Sequence, residues 1–399
     1  MYTDPFSDKR IPNTHAVARQ LRVAVVTETY PPEVNGVART LARMVQGLHS
    51  RGHEVLLVRP QQSEPAIELR PRFEQVLVRS MPIPFYPQLR MGLATKGSLQ
   101  RLWRLHRPDI VHVATEGPLG WTALAAVQAL GLPVSSDFRT NFHAYTQHYG
   151  MAWLHRPMAA YLRRFHNRAA CTMVPTERLR QELAASGFER LEVVARGVDT
   201  ELFEPSARSA ELRASWGVQP TDLVMACVGR LAQEKNLGLL LQAYRAARQV
   251  RPDTRLLLVG DGPMRAELQA ACPEALLVGQ RSGQDLAAHY ASADLFVFPS
   301  QTETFGNVTM EALAAGLPVL AFDHAAAGQM IETGRNGMIC PLDAPDQFMD
   351  AACQLACDNA LRQAMAPAAR ATALAHGWDP VIDRFEAILS RLALVPKTA

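Results

Sequence analysis

Short runs of apolar residues alternate along this chain with longer stretches whose apolar positions recur every three or four residues. Runs of the first kind fit buried strands, and stretches of the second fit helices with one apolar face. The first run is Val23–Val26. A loop over 27–37 follows, with Pro31, Pro32 and Gly36, and a helix is expected from about Arg39 to His49, stopped at Gly52. Glu54–Val58 reads as the next strand and completes a β-loop-α-β opening of the Rossmann kind. Further strands are expected at Val76–Arg79, Ile110–Val113, Pro133–Ser135, Thr172–Pro175 and Leu191–Ala195, with a helix at Leu119–Leu130.

The pattern starts again at Leu223–Val228. It continues as helix Asn236–Val250, strand Arg255–Val259, helix Pro263–Ala270, strand Ala275–Val278, helix Gly283–Ala291 and strand Leu295–Phe298. A loop, a helix ending at Gly316 and a strand over Pro318–Phe322 come next, and a last helix is expected over Trp378–Leu392. Strands alternating with helices imply parallel sheets, so the fold class is α/β with two Rossmann-like, doubly wound domains. The length, 399 residues, also exceeds what one core serves well. We divide the chain into a polar leader over 1–20, domains over 21–200 and 201–376, and a helix with tail over 377–399. The leader lacks the apolar centre of a signal peptide. Beyond the two similar halves no internal repeat is visible.

Composition narrows the class. Hydrophobic residues make up 48% and charged residues 20%, and no run of about 18 apolar residues suggests a membrane span. The six cysteines are scattered, mostly in apolar surroundings, which fits small buried side chains in a reducing cytoplasm. Cys353 and Cys357 lie one helical turn apart, but neither His nor a further Cys stands beside them to complete a metal site. The net charge of +3 is unevenly divided: residues 1–200 hold 25 Lys/Arg against 16 Asp/Glu, and residues 201–399 hold 16 against 22. Residues 75–108 and 138–176 contain no acid at all. In the second stretch Leu154, Met158, Tyr161, Leu162 and Phe165 recur at helical spacing, with arginines opposite. Such a basic, aromatic-rich segment suits an anionic membrane surface, or else a stripe facing the core beneath solvated arginines. No nucleic-acid motif accompanies it. The expected location is the cytoplasm, with the inner face of the membrane as a peripheral site.

The candidate chemistry lies in loops that follow strands. Glu303 to Val319 holds two carboxylates, Glu303 in a loop and Glu311 one turn into the helix. A helix start presents free N–H groups and the positive dipole end to a phosphate, and flanking carboxylates accept hydrogen bonds from sugar hydroxyls. The plain alternative is a loop-helix-strand unit with two incidental acids. Asn35-Gly36-Val37 after the first strand offers a tight turn and a second anion-facing helix start, or simply a β-α turn. Arg230 and Lys235 in Gly229–Asn236 would neutralise a diphosphate, or sit as two surface cations.

These segments together resemble the E-x7-E family of retaining GT-B glycosyltransferases, group 1, and within it bacterial lipid mannosyl- and diacylglycerol glycosyl-transferases. The resemblance covers about 21–392. It implies that Glu303 approaches the transferred sugar and Glu311 holds the ribose of the donor. Phe305, Gly306, Asn307 and Val308 would line the donor site between them. Asn35 and Gly36 would close over the diphosphate, and Arg230 and Lys235 would bind it. Gly262, in Val259–Pro263, and Arg281, in Gly279–Arg281, would support the nucleotide. Gly197–Phe203 matches the interdomain segment, and Gly377-Trp378-Asp379 begins the helix that crosses back to the first domain.

On the acceptor side Glu116 and Arg139 follow strands. By the resemblance a sugar-contacting histidine often stands where this chain has Arg139. His143 is one candidate to replace it, Arg139 as a holder of a phosphate or anionic acceptor is another, and an ordinary loop histidine at His143 is the plain reading.

The implied activity is transfer of a hexose from GDP-mannose or a UDP-sugar to a hydroxyl, with retention, no cofactor and no metal. The acceptor would be a membrane glycolipid or lipid precursor. The alternatives are a sugar-nucleotide epimerase of the same fold, or a non-catalytic scaffold that binds a nucleotide sugar.

Overall fold

The computed structural model describes residues 19–33, 35–62, 70–83, 86–139, 155–303 and 305–394. The first domain is built on β1 Arg22–Val26, β2 Glu54–Pro60, β3 Phe73–Ile83, β4 Tyr86–Leu93, β5 Ile110–Val113, β6 Val134–Asp137, β7 Cys171–Val174 and β8 Leu191–Val193. They form one sheet in the order β4-β3-β2-β1-β5-β6-β7-β8. Alternate residues of β1 serve opposite faces. Val23 and Val25 join one apolar cluster, Ala24 and Val26 another. Helices cover both faces, which is why the strand reads as an unbroken apolar run. Helix Gly36–Ser50 and the last helix lie over the first face, and helices Lys96–His106 and Pro118–Leu130 over the second.

One expectation needs correction here. The alternation of strands and helices implied parallel pairing throughout, yet β3 and β4 pair antiparallel, with Arg79 opposite Leu93 and Met81 opposite Met91. β4 was not expected from the pattern because Pro87 interrupts it. Proline is tolerated in this place because β4 is the edge of the sheet.

The second domain carries β9 Leu223–Val228, β10 Thr254–Val259, β11 Leu276–Gly279, β12 Leu295–Phe298, β13 Val319–Phe322 and β14 Gly337–Cys340. Their order is β11-β10-β9-β12-β13-β14, all parallel. Helices Leu237–Val250, Arg265–Ala271, Gly283–Ala291, Asn307–Ala314, Ala325–Met330, Pro345–Cys357 and Asn359–Leu374 complete it. In both sheets the strand order reverses beside the first strand, at β1/β5 and β9/β12. In open α/β sheets such a point, at the carboxyl ends of the strands, is where ligands bind.

The last helix, Trp378–Ala393, returns to the first domain as expected. Val381, Phe385, Ile388, Leu389 and Leu392 pack with Val23, Val25 and Met44. A side chain added at Gly47 would collide with Ile382, so the two helices meet closely. Arg51 and His53 each reach Glu386 at 3.0 Å. The cysteine expectation holds for Cys171, Cys227, Cys272 and Cys340, which are buried. Cys353 is half-buried, and the expectation fails for Cys357, which is exposed at the end of its helix. Among the described residues no helix is long and apolar enough to cross a membrane.

Candidate active site

β12 delivers the chain into the loop that holds Glu303. Gly306, at φ +88°, turns that loop into helix Asn307–Ala314 in a conformation that side chains other than glycine resist. The first N–H groups of the helix have no carbonyl of their own turn to bond. The Glu303 carboxylate touches the Lys235 ammonium, and Ser300 Oγ donates to its Oε1 at 2.7 Å. A ring nitrogen of His324 lies 3.0 Å from the Glu303 carbonyl oxygen. Burial pushes this carboxyl up, but Lys235 and then Ser300 outweigh it, so it is held below the ordinary range. Lys235 arrives from the turn after β9 and also lies 5.7 Å from the centre of the Phe298 ring.

Glu311 is held differently. Tyr290 donates its hydroxyl to Oε2 at 2.9 Å, and Arg39 of the first domain stands 3.6 Å from Oε1. Burial raises this carboxyl, and Arg39 and Tyr290 only partly offset it. Glu303 is thus the firmly ionised member of the pair, and Glu311 the one easier to protonate.

Arg230 stays at the rim, 40% exposed, with Glu234 at 3.8 Å. Its loop is locked to the one after β10: Leu231 N–H donates to Asp261 at 2.9 Å, and Met264 N–H donates to Leu231 at 3.0 Å. A side chain at Gly262 would strike the Leu231 carbonyl, so glycine is required there for loop packing. Arg281 folds back on its own loop, donating to the Val278 carbonyl at 2.7 Å and to Asp285 at 3.2 Å. Phe305 is buried in the core, and its carbonyl accepts from Ala326 N–H at 2.7 Å. Val308 packs against the same core, half-buried.

From the first domain, Asn35 caps helix Gly36–Ser50, accepting from Ala38 N–H at 2.8 Å, and gives its amide to Thr29 at 2.8 Å. Gly36 faces the second domain, since a Cβ built there would stand 3.6 Å from Asn307 Nδ2. The two helix starts therefore converge across the cleft, one from each domain.

The acceptor side is less open than expected. Arg139 exposes none of its side chain; it pairs with Asp137, and its Nη2 donates to Met44 Sδ at 2.8 Å. Burial lowers its pKa, with Asp137 opposing. Burial, followed by Arg139, pushes neighbouring Arg196 down to about 9. Glu116 is buried too: its carbonyl accepts from Tyr161 OH at 2.6 Å, and its Oε1 lies 3.4 Å from His166 Nε2. Arg139 and Glu116 thus form a buried polar layer at the strand ends, beneath the wall of the cleft. His143 lies outside the described residues.

The sequence reading missed Arg39, Tyr290, Ser300 and His324. Arg39 stood in the Asn-Gly-Val-Ala-Arg-Thr run and was readable as a cation near a helix start. Tyr290 carried no local signal. Among the described residues no three His, Cys, Asp or Glu side chains gather as a metal site would need.

Comparison with known proteins bears on this arrangement. Residues 34–202 match the family model Glycosyltransferase Family 4, and residues 222–358 match Glycosyl transferases group 1. The chain is 35% identical over 381 residues to a GDP-mannose-dependent alpha-mannosyltransferase of Mycobacterium tuberculosis (strain CDC 1551 / Oshkosh), covering 93% of this chain and 98% of that one. It is 26% identical over 341 residues to the alpha-monoglucosyldiacylglycerol synthase of Acholeplasma laidlawii, covering 80% and 84%. Among solved structures, the sucrose-phosphate synthase from Thermosynechococcus elongatus superposes with a TM-score of 0.78 at 18% identity, over 94% and 99% of the two chains.

Proposed function

The chain belongs to the glycosyltransferases of family 4 and group 1, hexosyl-transferring enzymes of the GT-B fold, and on that premise we propose that it moves mannose from GDP-mannose to a hydroxyl of a membrane glycolipid or lipid precursor. The observation that carries the reading is the contact of Lys235 with Glu303 at the start of helix Asn307–Ala314, opposite Gly36. It brings a cation, an ionised carboxylate and two helix starts to one point. A nucleotide sugar presents a diphosphate and a polyhydroxyl ring in the same compact arrangement.

The reaction we propose is a transfer with retention. The bond from the sugar's anomeric carbon to the β-phosphate oxygen breaks. The acceptor oxygen bonds the same carbon on the same face, and its proton passes to the departing phosphate. Negative charge grows on that phosphate, where Lys235, Arg230 and the helix N–H groups stabilise it. Glu303 holds the sugar, and Glu311 the ribose. The reading needs neither metal nor cofactor, because fixed cations supply the charge.

GDP-mannose is favoured by the name of the relative at 35% identity. A lipid acceptor is favoured by the diacylglycerol-linked product named for the second relative. A cavity of about 320 Å³ beside the Tyr30–Pro32 loop, walled by Val45 and Phe73 and reached by Arg59, suits an amphiphile.

Peripheral docking on anionic lipid is the companion proposal, with its site revised. In helix His155–His166 the stripe residues Leu162 and Phe165 are buried in the core, and Arg168 stacks over Trp121 at 4.9 Å. Helix Lys96–His106 is the better face: Leu105 is 76% exposed, with exposed Arg101 one turn before it and exposed Arg104 adjacent in sequence.

The test supplies labelled GDP-mannose or UDP-glucose to the purified chain with a membrane lipid extract and corrects for hydrolysis. Label should enter the lipid fraction from GDP-mannose. Label arriving only from UDP-glucose, or only in water-soluble products, would overturn the donor or the acceptor respectively.

A further inference from the structure

Arg39 belongs to the acceptor-side domain, yet its nearest charged partner is the ribose-binding glutamate of the other domain. It is the fourth residue of helix Gly36–Ser50, and Glu311 is the fifth of helix Asn307–Ala314. The starts of these helices face each other, so their first turns bring the two side chains together. Only 9% of the Glu311 side chain is exposed, against half of Arg39. A carboxylate so enclosed needs a countercharge to stay ionised.

The two oxygens are not treated alike. Oε2 already accepts a hydrogen bond from Tyr290 at 2.9 Å. Oε1 faces Arg39 at 3.6 Å, close enough for attraction and too long for a hydrogen bond. Its acceptor capacity is therefore still available to a hydroxyl.

We propose that Arg39 is a positioning residue for the donor: it keeps Glu311 ionised and its Oε1 aimed into the cleft, so that nucleotide retention depends on a residue from the opposite domain. The proposal rests on the reading of Glu311 as the ribose contact. Closure of the cleft then has a direct consequence for donor binding, because Arg39 reaches Glu311 only when the helix starts face each other. Other contacts between the halves do not involve Arg39. Arg178, for example, donates to the Asp323 carbonyl at 3.1 Å. Removing Arg39 should therefore leave the two domains joined and folded.

The experiment is a titration of GDP, with UDP as a second probe, together with donor kinetics. The chains compared are wild type, Arg39→Ala, Arg39→Lys, Glu311→Gln and Arg39→Ala/Glu311→Gln. Arg39→Ala should weaken GDP by about tenfold, the scale of a partly buried coupled pair. It should raise KM for the donor more than it lowers kcat. Arg39→Lys should recover most of the loss, and the double variant should bind no more weakly than Glu311→Gln alone. Wild-type GDP affinity in Arg39→Ala, no recovery by lysine, or two losses that add in full would overturn the role of Arg39. Wild-type GDP affinity in Glu311→Gln would instead overturn the ribose reading beneath it, whatever Arg39 does.

Discussion

Replacing Lys235 by alanine should damage stability and turnover together, and should reverse the way stability depends on pH. In the folded chain the ammonium touches Glu303, and the two side chains expose only 18% and 16% of their surface. Removing one partner of a buried pair costs about 3–5 kcal/mol when nothing else serves the remaining charge. Ser300 still donates at 2.7 Å, so a loss near the lower end, about 3 kcal/mol, is expected.

The sign follows from the partners. With Lys235 present the Glu303 carboxyl is held below its unfolded value, so its contribution to stability is present at neutral pH and is lost as pH falls through the folded pKa. Without Lys235, burial dominates and the folded pKa lies above the unfolded one. Its contribution is then present in acid and is lost as pH rises through the folded pKa. Thermal melts at pH 5 and pH 8 are the assay. The deficit of Lys235→Ala relative to wild type should be larger at pH 8, with a drop there of about 6–12 °C for a domain of this size. Single-turnover transfer should fall by about 10²-fold or more, as when a stabiliser of transition-state charge is lost. A deficit that is equal at both pH values, or larger at pH 5, would refute the claim that Lys235 keeps Glu303 ionised.

Three further outcomes are expected. Arg230→Ala should lose about 10²-fold in turnover with little change in melting, because the side chain sits exposed at the rim; activity that vanishes in EDTA and returns with a divalent ion would show that a metal does this work. GDP affinity should weaken on acidification above the ordinary carboxylate range, since Glu311 is raised by burial, and Glu311→Gln should abolish that limb; a limb that survives the substitution belongs to another group. Arg101→Glu/Arg104→Glu should reduce flotation with anionic vesicles at low salt, at about 1 kcal/mol per basic residue near the surface, while GDP affinity holds; wild-type chain that ignores such vesicles removes the membrane proposal.

What could be read in the sequence, and what could not, divides along a physical line. Leu223–Val228 and Leu295–Phe298 were expected with the bounds the structure shows, because a strand buried on both faces must be apolar throughout. β14 escaped notice because four residues at a sheet edge carry no period. In the site, the loop-to-helix placement of Glu303 and Glu311 was legible because it is local. Their different electrostatic states were not. Lys235 lies 68 positions from Glu303, and Tyr290 lies 21 from Glu311. The first pairing arises because β12 lies beside β9, and the second because helices Gly283–Ala291 and Asn307–Ala314, before and after β12, pack together; no local pattern encodes either.

Arg139 teaches the same point from the other side. Its position after β6 puts it at the carboxyl end of that strand, but position along a strand does not say where a side chain turns. It turned inward, to Asp137 and Met44. An arginine so buried acts by fixing the strand ends around it. Arg139→Lys tests that role. A lysine retains the charge beside Asp137 but has no planar fork to reach Met44 as well. It should lower the melting temperature while leaving donor affinity unchanged. A variant with wild-type stability and a raised KM for the acceptor alone would place Arg139 on the cleft wall after all.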